Sequence, residues 1–226
     1  MDDIQLMVEP EDFVNCPWLK TGKINIGIIS NWSDIRRDSA DYWIESKIGN
    51  DISAALYTRL IVHSENNFPE WDIQFQDGNF FEIKIRTFSH PSKIFIETGT
   101  EIIDSEANTP RKKKSGLSLS KSDYYILLTP GLFPMGDNKV RVMKVRLIKT
   151  EILREIMETT AETFIQSPGA KKSYGFDIDL FDKDFDDGFM GYYLYNPDTQ
   201  ETDFSKFIRF NKNLSKIREV YKSNNY

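Results

Sequence analysis

Residues 71–86 read WDIQFQDGNFFEIKIR, and this run constrains the fold more tightly than any other. Apolar and polar residues alternate on both sides of Gln76-Asp77-Gly78-Asn79. A period of two is that of a strand, and a glycine-containing polar break between two such runs predicts a β-hairpin. On the second strand Phe81, Ile83 and Ile85 share one face, and Glu82, Lys84 and Arg86 share the other. The apolar face must meet a core, which leaves opposite charges side by side on the second face. Such a pair is costly in a sheet interior unless it is solvated, paired or functional.

Asp72 joins that pair only in one register. A two-residue loop at Asp77-Gly78 sets Asp72 against Ile83, on the wrong face. A three-residue loop, Gln76-Asp77-Gly78 with a left-handed Gly78, sets Asp72 opposite Glu82, Gln74 against Phe80 and Ile73 against Phe81. The second register keeps the faces consistent and is the one expected.

Around the hairpin the patterns predict a mixed α/β chain. Ile44, Ile48, Ile52, Ala55, Leu56 and Leu60 recur every three to four residues, which predicts a helix over 38–60 with Ser39 as N-cap. Strands are expected at 24–29, 94–98, 124–128 (stopped by Pro130-Gly131) and 140–147. Residues 101–121 read as a mobile loop. A helix capped by Thr150 is expected over 150–164, irregular structure with one or two strands after Ser167, and a short basic helix over 203–226. The length of 226 residues fits one domain, its core at roughly 38–165 and residues 166–226 packed on it as a C-terminal extension.

Composition narrows the chemistry. Two histidines and one cysteine, Cys16, cannot build a Cys/His zinc site, so a metal would be held by oxygen, as Mg²⁺, Mn²⁺ or Ca²⁺ are. The acidic run 177–188 fails as an EF-hand: Asp187 stands where glycine is needed and Tyr193 where glutamate is. There is no phosphate-binding glycine loop and no dinucleotide fingerprint, so no small-molecule cofactor is expected. The net charge of −6 argues against a general nucleic-acid coat but leaves room for a focused site. No stretch approaches the roughly 20 apolar residues of a membrane span, and the first residues are acidic, so a cytoplasmic protein without a membrane partner is expected.

Two carboxylates a few ångströms apart bind a divalent cation, and the Ile83 carbonyl is a further oxygen donor. Lys84 beside them can orient or deprotonate a water, or stabilise charge on a phosphate. Asp72, nine residues, Glu82, one residue and Lys84 resembles the PD-(D/E)XK nuclease superfamily, which includes restriction enzymes, Holliday-junction resolvases and phage exonucleases. The helix before the motif and the segment SGLSLSKSDYYILL (115–128) after it extend the likeness over roughly 40–130. Trp71 departs from the proline of the namesake motif.

The resemblance implies a restriction-endonuclease-like core, with a central mixed β-sheet flanked by helices. It also implies Mg²⁺- or Mn²⁺-dependent hydrolysis of DNA, located in the host cytoplasm if the chain is phage-encoded. Members often add an acid from the preceding helix, and Glu45 and Asp51 both qualify. Arg86, Arg111, Lys112, Lys113, Lys114 and Lys121 are the expected phosphate contacts. DNA is the expected partner, and a homo-oligomer is compatible with the sequence. A sequence-specific type II restriction endonuclease and a catalytically silent nucleic-acid-binding module are the rival readings.

Overall fold

The computed structural model describes residues 28–29, 40–63, 70–85, 93–104, 107–135, 137–166, 172–179, 188–196 and 201–223. The apolar stripe becomes helix α1 (Ala40–Leu56), with Ile44, Ile48, Ile52, Ala55 and Leu56 all buried. Ser39, the expected cap, lies outside the described residues. The helix stops at Tyr57, whose φ is 62°, and the Thr58 amide returns to the Ser53 carbonyl at 2.9 Å. A left-handed non-glycine residue costs about 1–2 kcal/mol. Arg218 offsets that cost: its Nε donates to the Ala55 carbonyl at 2.7 Å and its guanidinium lies 3.8 Å from the Tyr57 ring centre. Arg218 belongs to helix α3 (Asn211–Ser223), so the two helices are joined at this corner.

The strands are β1 (Ile28–Ile29), β2 (Leu60–His63), β3 (Ile73–Phe75), β4 (Phe80–Ile85), β5 (Lys93–Ile103), β6 (Pro110–Lys114), β7 (Tyr124–Met135), β8 (Asn138–Lys149), β9 (Thr163–Ile165), β10 (Ser173–Asp179), β11 (Phe189–Asn196) and β12 (Glu201–Arg209). An eight-stranded sheet runs β1-β12-β11-β8-β7-β4-β3-β2, and a four-stranded sheet runs β6-β5-β10-β9. The larger sheet is mixed: β4 and β7 are parallel, with Glu82 beside Tyr125 in register, and the other pairs are antiparallel. The architecture is therefore α/β, with a large mixed sheet and, among the described residues, three α-helices. Among those residues no helix is long and apolar enough to cross a membrane.

Alternation gives the large sheet two buried faces. Phe81, Ile83, Tyr124, Ile126 and Leu128 join Met143, Val145 and Leu147 under α1 and α3. On the other face Tyr125, Leu127 and Ile148 meet Ile94, Ile96, Phe176 and Ile178 of the smaller sheet, with Leu153 of α2 (Thr150–Thr159). Glu82 and Lys84, which alternate with Phe81 and Ile83, therefore project on the side covered by the smaller sheet.

Several sequence expectations change. Pro130-Gly131 does not stop β7, which continues paired with β8 to Met135. Its described pairing with β4 ends at Leu128, and prolines on a strand paired on one side remove no ladder bond when they face the open edge. Residues 101–121 are not one loop: β5 extends to Ile103, and Pro110–Lys114 forms the exposed edge strand β6, where charge and proline are tolerated. Helix α2 ends at Thr159, whose hydroxyl turns back to the Glu155 and Ile156 carbonyls; Phe164 and Ile165 instead pair with β10. Thr150 is the first helical residue, and Lys149 occupies the cap position. Finally, the segment beyond 166 does not lie on a finished core. It supplies β11 and β12 to the larger sheet, β10 to the smaller one, and α3.

Candidate active site

The hairpin adopts the three-residue loop. Ile73 pairs with Phe81 and Gln74 with Phe80, and the Phe75 amide donates to the Asn79 carbonyl at 3.0 Å. Gly78 closes the loop with φ 89°, a conformation that favours glycine. Its tip is held by Tyr221 of α3, which donates to Asp77 and accepts from Asn79. The described pairing ends at Ile73 and Phe81; Asp72 follows just beyond the end of β3, its amide donating to the Phe81 carbonyl at 2.9 Å.

Three charges meet there. Asp72 Oδ2 accepts from the Ile83 amide at 2.6 Å, and Glu82 Oε1 accepts from Lys84 Nζ at 2.5 Å. Glu82 is nearly enclosed, whereas about a third of the Lys84 side chain (35%) reaches solvent. Burial pushes the Asp72 carboxyl well above the usual range; the charges of Glu82 and Glu45 add to the rise, and Lys84 and the Ile83 amide only partly offset it. For Lys84 burial works to release the proton, but Glu82 and Asp72 outweigh it and hold the ammonium above its usual value.

The helix acids separate. Glu45, on α1, is close enough for its charge to raise the Asp72 carboxyl. Asp51 is engaged elsewhere, by Lys47 one turn back and by the Tyr193 hydroxyl of β11 at 2.8 Å. Its carboxyl is raised by burial against the pull of Lys47 and Tyr193.

The segment after β6 buttresses the site. Gly116, at φ 51°, passes so close to β5 that a Cβ there would lie 2.3 Å from the Glu97 carbonyl oxygen. The Lys121 amide at 2.8 Å, Ser120 Oγ at 3.3 Å and Ser122 Oγ at 3.4 Å all reach the Glu70 carbonyl, two residues before Asp72. Asp123 takes the Phe80 amide at 2.8 Å and returns its own amide to the Phe80 carbonyl at 2.8 Å. These bonds are what the serines and Asp123 of SLSKSDYY do: they seat β7 beside β4. Sequence reasoning missed Tyr125, whose closeness to Glu82 depends on the parallel pairing of strands distant in sequence.

The expected phosphate contacts divide. Arg86 lies outside the described residues. Arg111 pairs with Asp104 at 3.2 Å, Lys112 with Glu162, and Lys121 with Glu70 at 2.7 Å. Lys113 and Lys114 are exposed on β6. That strand belongs to the sheet covering the Glu82 side, so its charge lies on the same side of the large sheet as the site.

The donor set suits a hard divalent cation. Asp72 and Glu82 offer oxygens not engaged by Ile83 and Lys84, and their mutual repulsion falls if a cation lies between them. The Ile83 carbonyl points to the same side of β4 as its amide, toward Asp72. Among the described residues no three His, Cys, Asp or Glu side chains are gathered closely enough to cage a metal ion. A two-carboxylate site is the type Mg²⁺ uses, since it retains several of its waters. Comparison with known protein families, curated proteins and solved structures finds no match.

Proposed function

We propose that this chain is a Mg²⁺-dependent nuclease of the PD-(D/E)XK type, hydrolysing DNA phosphodiesters on a restriction-endonuclease-like core. One observation carries the reading: the hairpin brings a partly buried, proton-avid Asp72 close enough to feel the charge of Glu82, and Lys84 is bonded to Glu82. A carboxylate crowded in this way destabilises the fold and is rarely kept without a use. Asp72 and Glu82 would hold Mg²⁺ or Mn²⁺, with the Ile83 carbonyl as a third oxygen and Glu45 acting from α1. When bound, the cation lowers the proton affinity of a water and polarises a phosphoryl oxygen. Lys84, partly open to solvent, turns from Glu82 to hold the attacking water or to donate to the phosphate. Lys113 and Lys114 supply backbone contacts beside the site.

The test is cleavage of linear, circular and branched DNA with Mg²⁺ and with EDTA, alongside Asp72→Asn and Glu82→Gln. Mg²⁺-dependent products lost in both variants support the reading. DNA binding without cleavage at any Mg²⁺ or Mn²⁺ concentration replaces it with a silent binding module, and neither binding nor cleavage ends it.

A further inference from the structure

Tyr125 carries a hydroxyl for which the fold has no evident use. The residue is fully buried and its oxygen has no hydrogen-bond partner. Phenylalanine would fill nearly the same space without leaving a buried donor and acceptor unmet. The parallel pairing of β4 and β7 puts Tyr125 directly beside Glu82, on the face from which Glu82 and Lys84 project. Burial and then the charge of Glu82 raise its hydroxyl above the usual tyrosine range; Lys84 and Asp72 act on it as well. Ser120, also near, does not meet it with hydrogen-bond geometry, and the Ser120 hydroxyl is engaged by the Glu70 carbonyl and the Ser122 amide.

Glu82 is held by Lys84, the same group the proposed reaction needs elsewhere. When Lys84 turns to the phosphate or the water, Glu82 needs another donor to keep its orientation. We propose that Tyr125 is a positioning residue of the site, whose hydroxyl replaces Lys84 as the hydrogen-bond donor to Glu82 during the reaction. This inference rests on the nuclease reading of Asp72, Glu82 and Lys84. Groups that orient metal-holding carboxylates in this way change metal affinity or activity by roughly 10–100-fold when removed.

The experiment compares the full chain with its Tyr125→Phe variant. The readouts are the melting temperature in EDTA, Mn²⁺ affinity by calorimetry, and the kinetics of DNA cleavage. The expected result is an unchanged or raised Tm, Mn²⁺ binding weaker by roughly tenfold or more, and a comparable loss in kcat at constant KM for DNA. A lowered Tm with activity falling in step assigns Tyr125 to the fold and overturns the proposal. So does a variant matching the parent in Mn²⁺ affinity and kcat, which leaves the nuclease reading intact. A parent that neither binds Mn²⁺ nor cleaves DNA overturns both.

Discussion

Replacing Asp72 with asparagine should stabilise the metal-free protein while abolishing its response to Mg²⁺. The amide oxygen of asparagine can still accept from the Ile83 amide, as Asp72 Oδ2 does at 2.6 Å, so the main change is loss of a charge. That charge is disfavoured by burial and by the fields of Glu82 and Glu45. In the unfolded chain the carboxyl titrates near 3.9; in the native protein it titrates well above that. Between the two values the native state binds more protons than the unfolded one, so this group's contribution falls as pH rises through the window. Above the native-state value the full penalty is present. Each tenfold increase in native-state proton affinity corresponds to about 1.4 kcal/mol, or roughly 3–6 °C in Tm for a chain of this size.

Asp72→Asn should therefore melt above the parent in EDTA at pH 7, with the difference closing as pH falls toward 4. Excess Mg²⁺ should raise the Tm of the parent by mass action and leave the variant nearly unmoved. Thermal melts from pH 4 to 8, with and without Mg²⁺, measure this. A variant less stable than the parent in EDTA at pH 7, or a gap that persists on acidification, would refute the electrostatic account of the site.

Lys84→Ala leaves Glu82 without its bonded cation, so stability in EDTA should drop, and Mg²⁺-dependent cleavage should fall by roughly 10²–10⁴-fold; unchanged cleavage removes the role given to the lysine. Gly78→Ala meets no atom within 4 Å, so its cost is purely conformational, about 1–2 kcal/mol, and a much larger drop in Tm would contradict that. Tyr221→Phe removes the bonds to Asp77 and Asn79, and chemical denaturation should register a loss of about 1.5–3 kcal/mol with the Mg²⁺ requirement unaltered. Lys113→Ala with Lys114→Ala should weaken DNA binding and flatten the slope of log affinity against log salt by roughly 2; an unaltered slope takes β6 out of the DNA interface.

The parity of the hairpin was legible in the sequence because it is local. Alternation over 71–86 and a single glycine favour the register that pairs Ile73 with Phe81 and Gln74 with Phe80, and that register brings Asp72 to the end of β4 that carries Glu82. The buried face of α1 was legible for the same reason, since Ile44, Ile48 and Ile52 share a side through helical geometry alone. Which strands become neighbours is not local. The 42 residues between Glu82 and Tyr125 carry no periodic signal for their parallel pairing, and polar buttresses such as Ser120, Ser122 and Asp123 become meaningful only once Glu70 and Phe80 lie beside them. Glu45 and Asp51 flank one helical stripe symmetrically in sequence. The packing of α1 broke that symmetry: it brings Asp51 to the Tyr193 hydroxyl of β11 and leaves Glu45 to act on Asp72. Short-range periodicity thus determined the pair of carboxylates. Their surroundings were decided by contacts between distant segments, whose pairing depends on the energy of the whole sheet rather than on any window of residues.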